Sequence, residues 1–174
     1  SKAETAAVDE SLTSGILQTQ GENFVFRHEL VRQTILDNIT PYQRASYHQQ
    51  VLESLTTASQ GSHDFAQLAH HAKAAGDRTA MLKYAPAAAR QASQAGAHRE
   101  AAALFALALT YIDDQLAEER ALMLEAYARE CDLIGQQVEG IAARRSAAKL
   151  WRELNNPLKQ GENLAYLMLS LIHI

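Results

Sequence analysis

A histidine at a strand-to-helix junction is well placed to meet an anion. The free N–H groups at a helix start favour an anion, and the imidazole can donate a hydrogen bond to it. His28 has that setting, between the β-type run Asn23-Phe24-Val25-Phe26 and the helical spacing of Leu30, Val31, Thr34 and Ile35. The competing reading is a histidine that caps local backbone or packs on a hairpin. Arg32 and Arg44 read as ordinary surface charges. Seven histidines also raise the question of a metal. A helical metal site usually takes ligands at i and i+4. His63 and His70 are about 10 Å apart along a helix, His70 and His71 diverge by about 100°, and no metal site is expected. Nucleophilic chemistry is no better supported. Cys131 shares an apolar stripe with Leu124 and Ala128, where a cysteine is an inert packing residue. Ser146 and Ser170 have no activating partner. Asp113-Asp114 and Glu118-Glu119 read as a solvated turn, and Trp151 and the tyrosines as packing residues. No catalytic residue, and no enzyme, is expected.

Few strands are available to position these residues. Gly15-Ile16-Leu17-Gln18-Thr19 and Asn23–Phe26 flank Gln20-Gly21-Glu22, a turn of hairpin length. With a helix before it (Ala3–Leu12) and one after it (to Asn38), the pattern matches the C-terminal part of a winged helix with one β-hairpin. From Thr40 on, everything reads as helix. Thr40-Pro41 supplies a cap and a first-position proline, followed by the stripe His48, Val51, Leu52, Leu55. Further stripes are Phe65, Leu68, Ala69, Ala72; then Ala101, Leu104, Phe105, Ala108, Ile112; then Ala121, Leu124, Ala128, Cys131; then Ala147, Leu150, Trp151, Leu154. Pro86 should kink or split the helix from about Arg78 to Ala95. The set Gly76, Ala80, Tyr84, Ala88 recurs about twenty residues later as Gly96, Ala101, Phe105, Ala108. The expected fold is mainly α, a winged-helix portion and following helix (residues 1–58) leading into a tetratricopeptide-like α-solenoid (residues 63–168). A plain helical bundle is the competing architecture. Residues 169–174 read as a non-native tail.

Composition agrees with helices. Of 174 residues 32 are alanine, against eight glycines and three prolines. No apolar stretch is long enough to span a bilayer, and no secretory leader is visible. A single cysteine excludes an intramolecular disulfide framework and fits a reducing, cytoplasmic compartment. A net charge of −4 argues against nucleic acid as a direct partner, and only Arg27 and Arg32 lie near the hairpin. Arg144, Arg145, Lys149 and Arg152 form a positive stretch, but Glu139 and Glu153 interrupt it, so it reads as an ordinary helix face.

The run Phe24-Val25-Phe26-Arg27-His28-Glu29-Leu30-Val31-Arg32-Gln33, continued by Pro41-Tyr42-Gln43-Arg44, resembles the winged-helix exit of signal-transduction ATPases. Leu68-Ala69-His70-His71-Ala72, Tyr84-Ala85-Pro86-Ala87-Ala88 and Gly96-Ala97-His98-Arg99-Glu100-Ala101 are similar to the helical-repeat region of the large ATP-binding LuxR-type transcriptional regulators. The resemblance covers roughly residues 10–168. It implies a regulatory segment that couples a small-molecule inducer or protein partner on the repeats to an intramolecular ATPase module outside this chain. In related signal-transduction ATPases a Met-His-Asp motif of the winged helix places a histidine on the β-phosphate of ADP. Arg27-His28-Glu29 is similar in order, with Arg where Met would stand, so the resemblance implies that His28, with Arg27 beside it, senses nucleotide. ATP or ADP would belong to the parent protein, because no Gly-x-x-x-x-Gly-Lys-Ser/Thr loop occurs in this chain. No basic helix-turn-helix follows either. Two alternatives stand beside this reading: a stand-alone repeat scaffold that binds a peptide, and the same segment linked to a cyclase or kinase output.

Overall fold

The computed structural model describes residues 2–21, 23–58, 64–113 and 116–172. Among them it is mainly helical, with nine helices and one two-stranded antiparallel hairpin. The chain divides into two compact units, Ser1–Arg44 and Ala45–Ile174.

In the first unit α1 (Lys2–Thr13) ends where Gly15 N–H bonds to Leu12 O and Ile16 N–H to Ser11 O, which satisfies two of the helix's last carbonyls. β1 (Leu17–Gln20) pairs with β2 (Asn23–Phe26) in the register Leu17↔Phe26 to Gln20↔Asn23. The strand therefore starts two residues later than the sequence suggests, because Gly15 and Ile16 serve the helix end, and Gln20 joins the ladder instead of the turn. Arg27 N–H donates to Ile16 O and extends the pairing by one rung. α2 (Glu29–Asn38) follows, and Arg44 Nη2 donates to Leu36 O at 2.9 Å across its C-terminal end. α3 (Pro41–Ala58) begins with a reciprocal cap. Gln43 N–H donates to Thr40 Oγ1 at 3.3 Å, and Thr40 N–H donates to Gln43 Oε1 at 3.0 Å.

The second unit contains most of α3, then α4 (Phe65–Ala75), α5 (Arg78–Gln94), α6 (His98–Leu109), α7 (Ala117–Leu133), α8 (Gln137–Glu153) and α9 (Pro157–Ile172). From α4 on, each helix packs against the next in sequence. Leu52 from α3 joins Leu68, Ala72, Met81, Tyr84 and Ala85 in one apolar cluster, and Ala121, Ala147 and Trp151 form a second. Ala72, Ala85, Ala101, Ala108, Ala121, Ala128 and Ala147 are fully buried. Side chains that small let neighbouring helices approach closely, which is how an alanine-rich sequence makes a core without many large residues. Val51 and Leu154 lie outside this core, at 40% exposure each.

One turn type recurs between helices. Gly76, Gly96, Gly135 and Asn155 all have φ between 54° and 77°. In each case the next residue's N–H reaches back to a carbonyl five residues earlier, as in Asp77 to Ala72, Ala97 to Ala92, Gln136 to Cys131 and Asn156 to Trp151. The interval of twenty residues between Gly76 and Gly96 recurs between Gly135 and Asn155, while Gly96 and Gly135 lie 39 residues apart. Pro86 does not split α5, which runs unbroken from Arg78 to Gln94. Proline removes the N–H that Leu82 O would accept and crowds that carbonyl, and packing of α5 against both α4 and α6 offsets this local cost.

Candidate functional site

His28 is the N-cap residue of α2, in extended conformation (φ −131°, ψ 128°), and its backbone carbonyl accepts from Val31 and Arg32 N–H. Its side chain is exposed and makes no capping bond to the helix. The junction is where the sequence places it, and the local-capping alternative is not the arrangement found. Arg27 is exposed, with Nη1 3.3 Å from the point a Cβ at Gly15 would occupy. Arg32 is engaged within α2. Its guanidinium is paired with Glu29, Nε donating to Oε2 at 2.8 Å and Nη2 to Oε1. That pairing lowers the Glu29 pKa and raises that of Arg32. Arg44 is engaged at the end of α2.

The second unit holds a cavity of about 570 Å³ bounded by α5, α6, the following connection and α7, a size suited to a small organic ligand. Its wall is mixed, with Leu82, Pro86, Phe105, Ile112 and Met123 on the apolar side and Arg90, Gln94, Glu119 and Arg129 among the polar groups. The guanidinium groups of Arg90 and Arg129 have no hydrogen bond or ion pair among the described residues. At one end Glu130 is only 2% exposed. Its carboxylate is satisfied by Ser93 Oγ, which donates to Oε1 at 2.8 Å, and by His98 Nδ1, 2.8 Å from Oε2. Buried carboxylates persist where they are hydrogen-bonded in this way. Ser93 sits in the last turn of α5, His98 opens α6 and Glu130 sits in the last turn of α7, so one side chain ties three helices together.

Two further polar nodes join α7, α8 and α9. Glu125 Oε1 accepts from Trp151 Nε1 at 2.7 Å and from Asn163 Nδ2 at 2.6 Å, with Lys159 Nζ 3.4 Å from Oε2. Arg144 donates to Asp132 Oδ2 at 2.8 Å and lies 4.0 Å from the centre of the Tyr166 ring. Between α3 and α4, three imidazoles gather. His48 and His71 approach Nδ1 to Nδ1 at 2.9 Å, and His70 stands 5.8 and 5.3 Å from their ring centres. Burial, and then the neighbouring His48 and His70, lower the His71 pKa. Among the described residues, no group of three or more His, Cys, Asp or Glu side chains is placed to hold a metal ion.

Of the other residues singled out from the sequence, Cys131 is buried, and burial raises its thiol pKa. Ser146 Oγ donates to Ala142 O within its own helix. Asp113 pairs with Arg78 at 3.2 Å, while Glu118 and Glu119 begin α7 instead of lying in a turn, where they complement the helix dipole. Trp151 and Tyr84 pack in the core, but Tyr42, Tyr47 and Tyr166 are more than half exposed. His63, Asp114 and the side chain of Ser170 lie outside the described residues. Sequence reasoning missed Glu130, Glu125 and the His48–His71 contact. Glu130 is off the stripe Ala121, Leu124, Ala128, Cys131, and is buried because α7 is covered by both α6 and α8. Among the described residues, no helix is long and apolar enough to cross a membrane.

No protein-family model matches the chain. No curated protein and no solved structure matches it either.

Proposed function

We propose that the chain is the regulatory segment of an ATP-dependent LuxR-type transcriptional regulator acting in the cytoplasm. In this reading residues 1–44 close a winged helix, and the helices from α3 on form a tetratricopeptide-like solenoid that receives the signal. The observation that carries it is the 570 Å³ cavity spanned by three successive helices, with apolar and charged groups in its wall and a buried carboxylate at one end. Neighbour-to-neighbour helix packing and the repeated turns at Gly76, Gly96, Gly135 and Asn155 support the solenoid. The exposed His28 ring at the start of α2 supports a contact with nucleotide held by an ATPase module. A small inducer in the cavity would bias that module by differential affinity for its two states, which is what allosteric coupling requires.

Recovering the contiguous coding sequence on both sides tests this first. The expected result is a Gly-x-x-x-x-Gly-Lys-Ser/Thr loop upstream and a helix-turn-helix downstream. A cyclase or kinase downstream would change the output and keep the segment. A reading frame with neither ATPase nor output domain would overturn the proposal and leave a free-standing scaffold. In the parent protein, ADP retention unchanged by His28→Ala would remove the nucleotide-sensor role.

A further inference from the structure

The positive stretch on α8 acquires a second wall in three dimensions. Arg145, Lys149 and Arg152 line one side of a groove of about 190 Å³, and Leu164 and Leu167 of α9 line the other, with Ala148 between them. At i, i+4 and i+7 the three cations fall on one face of α8 and span about 10 Å. The guanidinium groups of Arg145 and Arg152 have no hydrogen bond or ion pair among the described residues. Lys149 has only Glu153 at 3.9 Å, both side chains more than half exposed, a contact of little energetic weight. Among the described residues, no acidic side chain lines the groove. Leu164 is 45% exposed within it. Glu139 therefore does not divide the basic face here, and Glu153 stands at its end.

We propose that this groove between α8 and α9 binds an acidic amphipathic helix of a partner protein. Leucines on one face of such a helix would cover Leu164, Leu167 and Ala148, and carboxylates at helical spacing would meet Arg145, Lys149 and Arg152. The two leucines beside Gln160 reward an apolar protein side chain, whereas a single-stranded nucleic acid wants aromatic stacking platforms, and no aromatic residue lines this groove among the described residues. The inference uses the helical array alone and does not require the ATPase.

The test uses the 174-residue chain and a labelled helical peptide with leucines at i, i+3, i+4 and i+7 and glutamates between them, measured by fluorescence anisotropy. Binding is expected, weakening as salt rises. It is expected to fall about tenfold in an Arg145→Glu, Arg152→Glu double variant whose circular dichroism matches the parent. It is also expected to be lost when the peptide's leucines become serines. Absence of binding overturns the proposal, as does equal binding of a lysine-for-glutamate peptide, or indifference to the double variant. Salt-sensitive binding of a single-stranded oligonucleotide that the double variant abolishes, with no peptide binding, assigns the groove to nucleic acid and overturns it too. Failure here leaves the ATPase reading standing, and an upstream gene without an ATPase leaves this binding standing.

Discussion

His48 Nδ1 lies 2.9 Å from His71 Nδ1, so one ring must donate and the other accept, and two imidazolium rings cannot keep the contact. His71 has its pKa lowered below the ordinary 6.5 by burial and by His48 and His70. A histidine that binds protons less readily when folded stabilises the fold fully above the unfolded value. That stability is lost as pH falls from 6.5 towards the lowered folded value. The Tm is therefore expected to fall on acidification through this window, and His71→Gln is expected to flatten that part of the profile. An identical pH slope in the variant and the parent would show that the imidazole contact has no such role.

Glu130 makes the corresponding argument for α5, α6 and α7. Replacing it by alanine strands Ser93 Oγ and His98 Nδ1, at a cost of roughly 2 kcal/mol and about 4–8 °C in Tm for a chain of this size. Glu130→Gln keeps an acceptor and should lose less. Thermal melting of both variants checks the order.

Gly140 and Gly161 both lie inside helices, yet their alanine variants are expected to differ in sign. A Cβ at Gly161 meets nothing within 4 Å, so Gly161→Ala should stabilise by about 0.5–1 kcal/mol through helix propensity. At Gly140 the Cβ would stand 2.9 Å from Asp132 Oδ1. Asp132 would have to turn away from Arg144, which is buried and donates to its other oxygen. Gly140→Ala should therefore destabilise, because it uncouples a buried guanidinium. Urea unfolding of the two variants decides it, and stabilisation by both would show that Asp132 moves freely.

Asn155 occupies the left-handed position that glycine fills in the other three turns, with φ 54°. Asparagine tolerates that region and β-branched residues do not. Asn155→Gly should leave stability unchanged within a few tenths of a kcal/mol. Asn155→Val should cost about 1–2 kcal/mol. Equal melting of the two variants would show that the turn relaxes.

These residues also mark what a sequence can disclose. The turns at Gly76 and Gly96 were legible because glycine there answers a local backbone demand at a regular interval. Asn155 answers the same demand, and Asn155-Asn156-Pro157 reads in the sequence as the stop of the helix that α8 proves to be, ending at Glu153. His28 at the strand-to-helix junction was legible for the same local reason. Glu130 was not, since a helix covered on two sides buries residues off its apolar stripe. The His48–His71 contact spans 23 residues of chain and depends on how α3 meets α4, which no local pattern specifies. The cavity was illegible too, because it is a gap left between helices and not a property of any one of them.

Trp151 is the one tryptophan of the chain, and its Nε1–H donates to Glu125, so its emission reports on the node joining α7, α8 and α9. Two kinds of partner hold Glu125 there: the neutral donors of Trp151 and Asn163 at 2.7 and 2.6 Å, and the Lys159 ammonium at 3.4 Å. Trp151 and Asn163 are buried, and Lys159 is partly open to solvent, where screening weakens an ion pair. Lys159→Met should therefore cost under about 1 kcal/mol. Glu125→Leu leaves the buried indole N–H without an acceptor and should cost roughly 2–3 kcal/mol. Glu125→Gln, which keeps an oxygen but gives up the charge, should fall between them. Urea unfolding followed by Trp151 emission ranks the three. A Lys159→Met penalty as large as that of Glu125→Leu would mean that charge, not hydrogen bonding, holds α9 in place.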